Sequence, residues 1–340
     1  MALKKKSKIR DPSYAVSVKG GRKHVGQIKL SYRLAQTGQI VSGTAAAGST
    51  YVDLSEGLSA VNRVLHRQGR CYYISDASIS ATGGLPENYA ASVEISTLPN
   101  TWVVANAWKM AFAAHQQMYK QVLEDTPSLK ARWSDFKVFF NESHQAHYAA
   151  GYALPKPQTS VIGTWTEFTG GEWEYSEFVQ PDHTTGGTAN EYWGHMLGVN
   201  NGTTWSNMVS AGLCFAYQQS RVEVQAKETP ANVGDGMYAN LFDLGGQQED
   251  LTDLIVGENA TGPYDMDNLQ DVLTTSPNGL PAGYLSINNG LPIASMGSIV
   301  APLGLLRVQW FNGDTSYPLN LNVTLTPGKV KGIHSEPMGQ

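Results

Sequence analysis

Cysteine, charge and long apolar runs are all scarce in this chain of 340 residues. The two cysteines, Cys71 and Cys214, each lie in an apolar segment, so we expect two buried free thiols in a reducing compartment rather than a disulfide. No apolar run reaches the roughly 18 residues of a membrane-spanning helix, and residues 1–26 lack the apolar centre of a signal peptide. These absences predict no membrane partner and no secretory route.

Charged residues make up 16% of the chain, which is well below the roughly 25% of typical soluble domains. Much of the surface must therefore be neutral and polar, or buried against copies of the same chain. Glycine (35), tyrosine (16) and tryptophan (8) are frequent, and threonine, serine and asparagine are abundant. This balance is typical of an all-β protein with long loops.

Positive charge is concentrated at the N terminus. The first 30 residues hold nine cations and one acid, a net charge of +8, whereas the rest of the chain holds 15 cations and 28 acids, a net charge of −13. A segment this basic cannot bury itself, so we expect a disordered arm over residues 1–24 that binds a polyanion, foremost nucleic acid. The residues predicted to contact phosphates are Lys4, Lys5, Lys6, Lys8, Arg10, Lys19, Arg22 and Lys23. A solubility tail is the simpler alternative, and a nuclear import signal is compatible with both views.

Alternating apolar and polar residues mark strands at both ends of the remaining chain. Residues 28–34 alternate with a period of two, which predicts a half-buried strand directly after the arm. Residues 71–80 predict a second strand. Residues 306–310 and 319–325 alternate in the same way around Asn312-Gly313, which predicts a closing β-hairpin that belongs to the core.

Two helices are predicted between these strands. Asp53 and Glu56 have the spacing of a capping box ahead of a short apolar repeat, which predicts a helix that ends near Gly69. Residues 101–124 carry the strongest helical period, with apolar side chains along one whole face. A connector with two prolines follows near residues 150–160, and any domain boundary is expected there.

The middle of the chain returns to a period of two. Residues 164–168 and 172–178 predict a β-hairpin around Gly170-Gly171. The segments beyond it are predicted to form loop 181–204, helix 205–218 and strand 221–226.

Acidic residues beside aromatic residues in this middle hairpin are the strongest candidates for catalysis. Paired carboxylates next to aromatic platforms perform glycoside hydrolysis. The residues in question are Glu167, Glu172, Glu174, Glu177, Trp165 and Trp173. The period of two explains them more simply, because it puts the aromatic side chains on the core face and most of the acids in solvent. We therefore predict no catalytic residue and no enzyme.

Two groups of candidate metal ligands are incomplete. His144 and His147 follow Glu142, but they lack the i, i+4 histidine spacing of an H-E-x-x-H site. The aspartates of YDMDNLQD, residues 264–271, lack the glycine and the ligand series of an EF-hand. We predict no metal site and no cofactor, and an interface calcium at the aspartates stays open.

Three stretches and the general plan of the chain carry a resemblance to a known family. The stretches are the arm MALKKKSKIR, the segment ISTLPNTWVVANAWKMAF and the closing segment SIVAPLGLLRVQWF…LNLNVTLTPGKVKGI. Together with the β-rich body of few charges, they resemble capsid proteins of small icosahedral viruses, especially small circular single-stranded DNA viruses. The resemblance implies an all-β fold, an eight-stranded antiparallel jelly-roll β-sandwich with inserted helices and long loops.

The resemblance also implies a structural protein of the virion. Such a protein would self-assemble into an icosahedral shell and package a genome of single-stranded DNA through its arm, with a host receptor as a further partner. The implied domains are the arm 1–24 and a shell domain 25–340, with a helical insertion at about 101–145. Before assembly the protein would lie in the host nucleus or cytoplasm.

A carbohydrate-binding or carbohydrate-active β-sandwich protein is the alternative from another class. It would use Trp165, Trp173 and the neighbouring glutamates. Chromatography with negative-stain imaging distinguishes the two classes, because one forms closed shells and the other a small soluble species.

Overall fold

The computed structural model describes residues 28–34, 45–81, 83–129, 134–150, 156–161, 164–168, 171, 173–180, 190–202, 207–222, 254–255 and 277–338. Predictions for the arm, Glu172 and the aspartates at 264–271 lie outside these residues. Strand residues outnumber helical residues, and the main sheets are antiparallel. This agrees with the predicted all-β sandwich.

Strands and helices are intermixed along the described residues. In chain order the strands are β1 (Lys29–Arg33), β2 (Ala46–Asp53), β3 (Arg70–Ala81), β4 (Ala90–Thr97), β5 (Gln158–Val161), β6 (Thr164–Glu167), β7 (Glu177–Gln180), β8 (Asn190–His195), β9 (Ser210–Gly212), β10 (Leu280–Asn288), β11 (Ile293–Met296), β12 (Ile299–Pro302), β13 (Leu305–Asn312), β14 (Leu319–Leu325), β15 (Pro327–Val330) and β16 (Ser335–Pro337). The helices are α1 (Leu54–Asn62), α2 (Trp102–Asp125), α3 (Glu142–Ala149) and α4 (Leu213–Val222).

Two antiparallel sheets pack together as a sandwich. The first sheet has the strand order β1-β14-β3-β11, with β12 and β16 also paired to β3, and the second has the order β10-β4-β13-β2. Strands of both sheets supply one hydrophobic core, which includes the fully buried Ile74, Ile95, Val308 and Leu321. Each strand thus buries one of its two alternating rows of side chains.

The pairing of the main strands is nested from the ends of the chain inward. The first strand, β1, pairs with β14; β2 pairs with β13; β3 pairs with β11 and β12; and β4 pairs with β10. Two further pairings, β14 with β3 and β13 with β4, complete the sheets. Successive main strands therefore alternate between the two sheets, except that β4 and β10 lie side by side in the second.

The chain between β4 and β10, residues 98–279, is an insertion, and its described residues pack against one end of the sandwich. It contributes most of a second hydrophobic core, in which the ring of Phe140 lies 5.9 Å from that of Tyr51 of β2 and which also includes residues at neighbouring strand ends. Where the insertion returns to the sandwich, Gly279 has φ +79°, and a Cβ there would lie 2.5 Å from Phe140 Cζ. Only glycine fits this close return without strain.

The predicted strand after the arm and the predicted helix after Asp53 are confirmed. In β1, Leu30 and Tyr32 are buried while Lys29 and Arg33 are exposed. The helix α1 ends at Asn62, before the predicted end near Gly69, because the next residue adopts a left-handed conformation.

Helix α2 has the predicted extent, and its fully buried residues all lie in its first two turns. On the predicted apolar face, Val104 and Trp108 belong to the second core, and Phe112 and Met118 pack against it while partly buried. Val122, at the end of the same face, is 51% exposed. The burial of this face therefore decreases toward the C-terminal end of the helix.

The predicted closing hairpin is wrong, although both of its strands exist. β13 pairs with β2 and β4 in the second sheet, whereas β14 pairs with β1 and β3 in the first. The turn between them crosses from one sheet to the other. Asn312 shapes this turn, because its side chain accepts from Asp314 N at 3.2 Å and donates to Tyr317 O at 3.0 Å.

The middle of the chain also differs from its prediction. β6 pairs with β5, and β7 pairs with β8, so no hairpin forms around Gly170-Gly171. β8 lies inside the predicted loop 181–204, and the predicted helix begins only at Leu213, after β9. Arg221 and Val222, predicted to begin a strand, are the last residues of α4.

Candidate functional site

The residues predicted to bind nucleic acid, Lys4 to Lys23, lie outside the described residues, but the strand that follows them is described. β1 is an outer strand of the first sheet, and it forms a ladder only with β14 within the described chain. Its two ends carry the exposed cations Lys29 and Arg33. Between them, Ser31 Oγ donates to Asn322 Oδ1 at 2.5 Å. The chain thus enters the sandwich at a sheet edge whose solvent face is polar and basic.

A buried polar cluster joins the sandwich to the insertion. Asp53, the last residue of β2, caps α1, since its Oδ1 accepts from the backbone N of Ser55 and Glu56 at 2.9 and 3.3 Å. Its other oxygen, Oδ2, accepts from Gln68 Nε2 at 3.1 Å. The Gln68 amide also accepts from Val138 N at 2.6 Å and donates to Val138 O at 3.0 Å. One glutamine side chain therefore pairs with the insertion much as a neighbouring strand would.

Asp135 extends this cluster toward the surface. Its Oδ2 accepts from Gln68 N at 3.1 Å, and its Oδ1 accepts from Arg67 Nη1 at 3.2 Å. Arg67 Nη1 also donates to Ser134 O at 3.0 Å. The Arg67 side chain is largely exposed, so its ion pair with Asp135 adds little to the unfolding free energy. The pair mainly fixes the position of residues 134–135 relative to residues 67–68.

Burial changes the protonation of both acids in the cluster. It raises the pKa of Asp53 from 3.8 to about 6, although hydrogen bonds from Ser55 and Gln68 oppose the rise. Burial also raises the pKa of Asp135, against the hydrogen bond from Gln68 N and the charge of Arg67. The ionised form of Asp53 is therefore costly at this position.

A cleft of about 960 Å³ opens beside the cluster, between α1 and the segments 134–137 and 171–176. Trp173 and Glu174 line it together with Glu56 and Asp135. An aromatic ring among carboxylates is the arrangement that the carbohydrate alternative requires. Of the residues predicted for that alternative, Trp173 and Glu174 are thus brought to one cleft.

Two charged groups of this cleft, Lys137 and Glu56, bind other residues of the protein. Lys137 Nζ donates to Glu174 O at 2.8 Å and lies 4.6 Å from the centre of the Trp173 ring, so a cation covers one face of that ring. The carboxylate of Glu56 forms an ion pair with Lys156. These contacts tie the walls of the cleft together.

The remaining glutamates of the predicted middle hairpin are surface residues. The side chains of Glu167, Glu174 and Glu177 are exposed, whereas Tyr175 and Phe178 are buried. The predicted division of acids to solvent and aromatic residues to the core is confirmed at Glu174 and Tyr175, whereas Trp173 is only half-buried. Glu167 and Glu177 lie at strand ends, the last residue of β6 and the first of β7.

His144, one of the candidate metal ligands, is a buried residue of the second core. Its Nδ1 accepts from Phe140 N at 3.1 Å, and its ring stacks on Tyr51 with centroids 4.6 Å apart. Burial lowers the pKa of His144 to about 3. The Nδ1 of His147 lies 2.5 Å from Ser143 O. The described part of the chain contains no group of three or more side chains able to hold a metal ion.

Both cysteines are buried free thiols, as predicted. Burial raises the pKa of Cys71 to about 11 and that of Cys214 to about 12. Neither thiol is ionised near neutral pH, so neither is a nucleophile there. No helix in the described ranges is long and apolar enough to cross a membrane.

Searches against protein-family models, curated proteins and solved structures find no match for this chain. Its function must therefore be argued from its own strands, charges and surfaces.

Proposed function

We propose that this chain is a jelly-roll capsid protein that self-assembles into an icosahedral shell and packages nucleic acid through its basic N-terminal arm. The observation that carries the proposal is the nested pairing of the main strands. Numbered along the chain with β11 and β12 counted as one strand, the main strands pair first with eighth, second with seventh, third with sixth and fourth with fifth. A long hairpin rolled into two sheets has this pairing, and the rolled hairpin is the plan of jelly rolls, which include viral capsid and lectin domains.

The position of the insertion supports this proposal. All of residues 98–279 lie between β4 and β10, the innermost nested pair. A long insertion at this point interrupts none of the other strand pairs, because it connects two strands that are direct neighbours in the sheet. The insertion then adds a surface at one end of the sandwich, where loops of such shells make contacts.

The distribution of charge supports the role of the arm. The first 30 residues carry a net charge of +8 and the rest of the chain −13. A polyanion is drawn to the arm and repelled by the body. Lys29 and Arg33, exposed at the strand where the arm joins the sandwich, continue its positive charge onto the first sheet. Single-stranded DNA as the polyanion rests on the family resemblance alone.

Assembly is tested by size-exclusion chromatography with negative-stain imaging of the purified full-length chain. The proposal expects closed shells of uniform diameter. A monomer at every protein and salt concentration would refute it. A monomer that binds an oligosaccharide, with the binding lost in Trp173→Ala, would support the carbohydrate alternative.

The role of the arm is tested by deleting residues 2–23, which removes eight of its nine cations and leaves β1 intact. Particles of the deleted chain should lose their nucleic acid, and the subunit melting curve should not change. Neutralising Lys4, Lys5, Lys6, Lys8 and Arg10 should flatten the slope of log K against log salt by about 4 to 5. Equal 260/280 nm absorbance ratios for full-length and deleted particles would show that the arm does not hold the genome.

A further inference from the structure

One long stretch of the chain, most of which belongs to the sandwich, contains no charged residue. Residues 272–306 contain no aspartate, glutamate, lysine, arginine or histidine. This stretch includes β10, β11 and β12, and it therefore supplies outer strands to both sheets. The surrounding chain is not neutral, because residues 31–340 carry 28 acids and 15 cations.

The strands β10 and β11 lie at one edge of the sandwich, which we call the β10–β11 edge (residues 280–296). Within the described chain, β10 forms a ladder only with β4, and β11 only with β3. Among the described residues, the only pairing of this edge beyond these ladders is an isolated bridge between Asn288 and Leu291, in the turn that joins the two strands. Large apolar side chains are exposed along this edge, since Tyr284, Leu291 and Ile293 are 66%, 55% and 59% exposed.

The opposite outer strand of the first sheet is built differently. On β1 the exposed positions are Lys29 and Arg33, and charged side chains of this kind keep an open strand edge from pairing with another chain. The β10–β11 edge carries no charge, and Pro281 and Pro292 are its only prolines. Its residues 283–288 thus form a strand without charged side chains that has a ladder on one side only within the described chain.

We propose that the β10–β11 edge is the surface on which a second copy of this chain docks. A second copy carries the same acidic body, so most approaches of two copies bring like charges together. The neutral edge is where two such copies approach with the least repulsion and bury Tyr284, Leu291 and Ile293. Nucleic acid is a poor occupant, because the edge offers no cation to its phosphates.

This assignment rests on the proposed function, since it names the surface through which copies assemble. Its test is the double variant Tyr284→Glu with Ile293→Glu, which puts two acids on the edge. The control is Met110→Glu with Val122→Glu, which puts two acids at exposed apolar positions of α2. Assembly is followed by sedimentation velocity against protein concentration, and folding by the subunit melting curve.

We expect the edge variant to require at least about tenfold more protein for assembly, because it brings unpaired acids into a contact, while the control assembles like the wild type. Wild-type assembly by the edge variant, or equal loss in both variants, would overturn the assignment and leave the proposed function standing. A wild type that never assembles would refute both.

A thiol placed on the edge gives an independent measurement that needs no added charge. Ser286→Cys puts an exposed thiol on β10, and Glu124→Cys puts one on the exposed end of α2. The native Cys71 and Cys214 are buried and leave a low background. Maleimide should label Ser286→Cys at least about tenfold more slowly in assembled than in dissociated protein, a difference of about 1.4 kcal/mol in accessibility. Glu124→Cys should label equally in both states, and equal labelling of Ser286→Cys would overturn the proposal.

Discussion

The sandwich core and the insertion core of this chain differ in both composition and origin. The sandwich core is mainly aliphatic, and most of its strands contribute alternate residues to it. The insertion core is rich in aromatic rings, such as Phe139 and Tyr175, whose centroids lie 3.9 Å apart. It also encloses buried polar residues, among them His144 and Asn141, that hydrogen-bond to the backbone. The first core depends on strand register, and the second depends on polar contacts that hold irregular segments in place.

The buried polar residues explain how the insertion keeps its shape with few long strands. Asn141 caps α3 by accepting from His144 N at 3.0 Å, and its Nδ2 donates to Pro277 O at 2.9 Å. His195 lies 3.0 Å from both Ser210 Oγ and Val199 O. The Val199 carbonyl can only accept, so Nε2 of His195 carries the proton and Nδ1 accepts from the serine hydroxyl.

The largest effect is expected from Phe139→Ala in the insertion core. Phe139 is fully buried and stacks on Tyr175, so its removal leaves a large cavity and should cost about 3 to 5 kcal/mol of unfolding free energy. Chemical denaturation followed by tryptophan fluorescence measures the change. A loss below about 1 kcal/mol would mean that the rings of this core do not pack as described.

Leu321→Ala makes the corresponding change in the sandwich core. Leu321 is fully buried on β14, and the change should cost roughly 2 to 5 kcal/mol. The two cores share strands β2 and β13, so we expect far-UV circular dichroism and fluorescence to show one common transition in both variants. Two separate transitions would show that the two cores unfold independently and that the shared strands do not couple them.

Asp53, which lies between the two cores, should make stability depend on pH. Its folded pKa of about 6 is above the ordinary value of 3.8, so the folded state holds its proton more tightly than the unfolded state. The contribution of protonated Asp53 to the unfolding free energy is fully present below about pH 3.8 and is lost as pH rises through about 6. Relative to Asp53→Asn, the wild type should lose about 2 to 3 kcal/mol across this window.

Denaturation midpoints of the wild type and Asp53→Asn at several pH values measure this difference. Groups other than Asp53 titrate in both proteins and cancel in the comparison. A constant difference between the two proteins from about pH 4 to pH 8 would mean that Asp53 is ionised in the fold at no cost.

The smallest effect is expected from the surface acids of the insertion. Glu174→Gln and Glu177→Gln should each change the unfolding free energy by about 0.5 kcal/mol or less, because both side chains are exposed. Assembly should survive in both. Loss of a measurable glycosidase activity in either variant would make the cleft beside Trp173 an active site.

The sandwich was largely predictable from sequence, because a half-buried strand repeats every two residues. That signal located β1, β13 and β14, and a high content of tyrosine and isoleucine located β3. This alternation does not indicate which strands pair with each other. The dipeptide Asn312-Gly313 is compatible both with a hairpin turn and with a turn that connects two sheets. The strand order follows from contacts between residues nearly 300 positions apart, as in Lys29 with Thr324, and no local pattern reports these.

The insertion core and the polar cluster were not predictable in this way. Their residues come from short segments without a common period, so Gln68 and Asp135 look like ordinary surface residues in the sequence. Only the capping position of Asp53 had a local signal. The absence of charge over residues 272–306 is plain in the sequence, but it gains meaning only once β10 and β11 are seen at the edge of the sandwich.

The nested pairing has a consequence for synthesis on the ribosome. While the insertion is being made, β1 to β4 are all unpaired, because their ladder partners follow the insertion in the chain, and closing so long a loop slows folding. A nascent chain stalled before residue 319 can pair β3 with β11 and β12, but it leaves β1 without β14 and open to aggregation. The first strand to be made is therefore among the last to be paired.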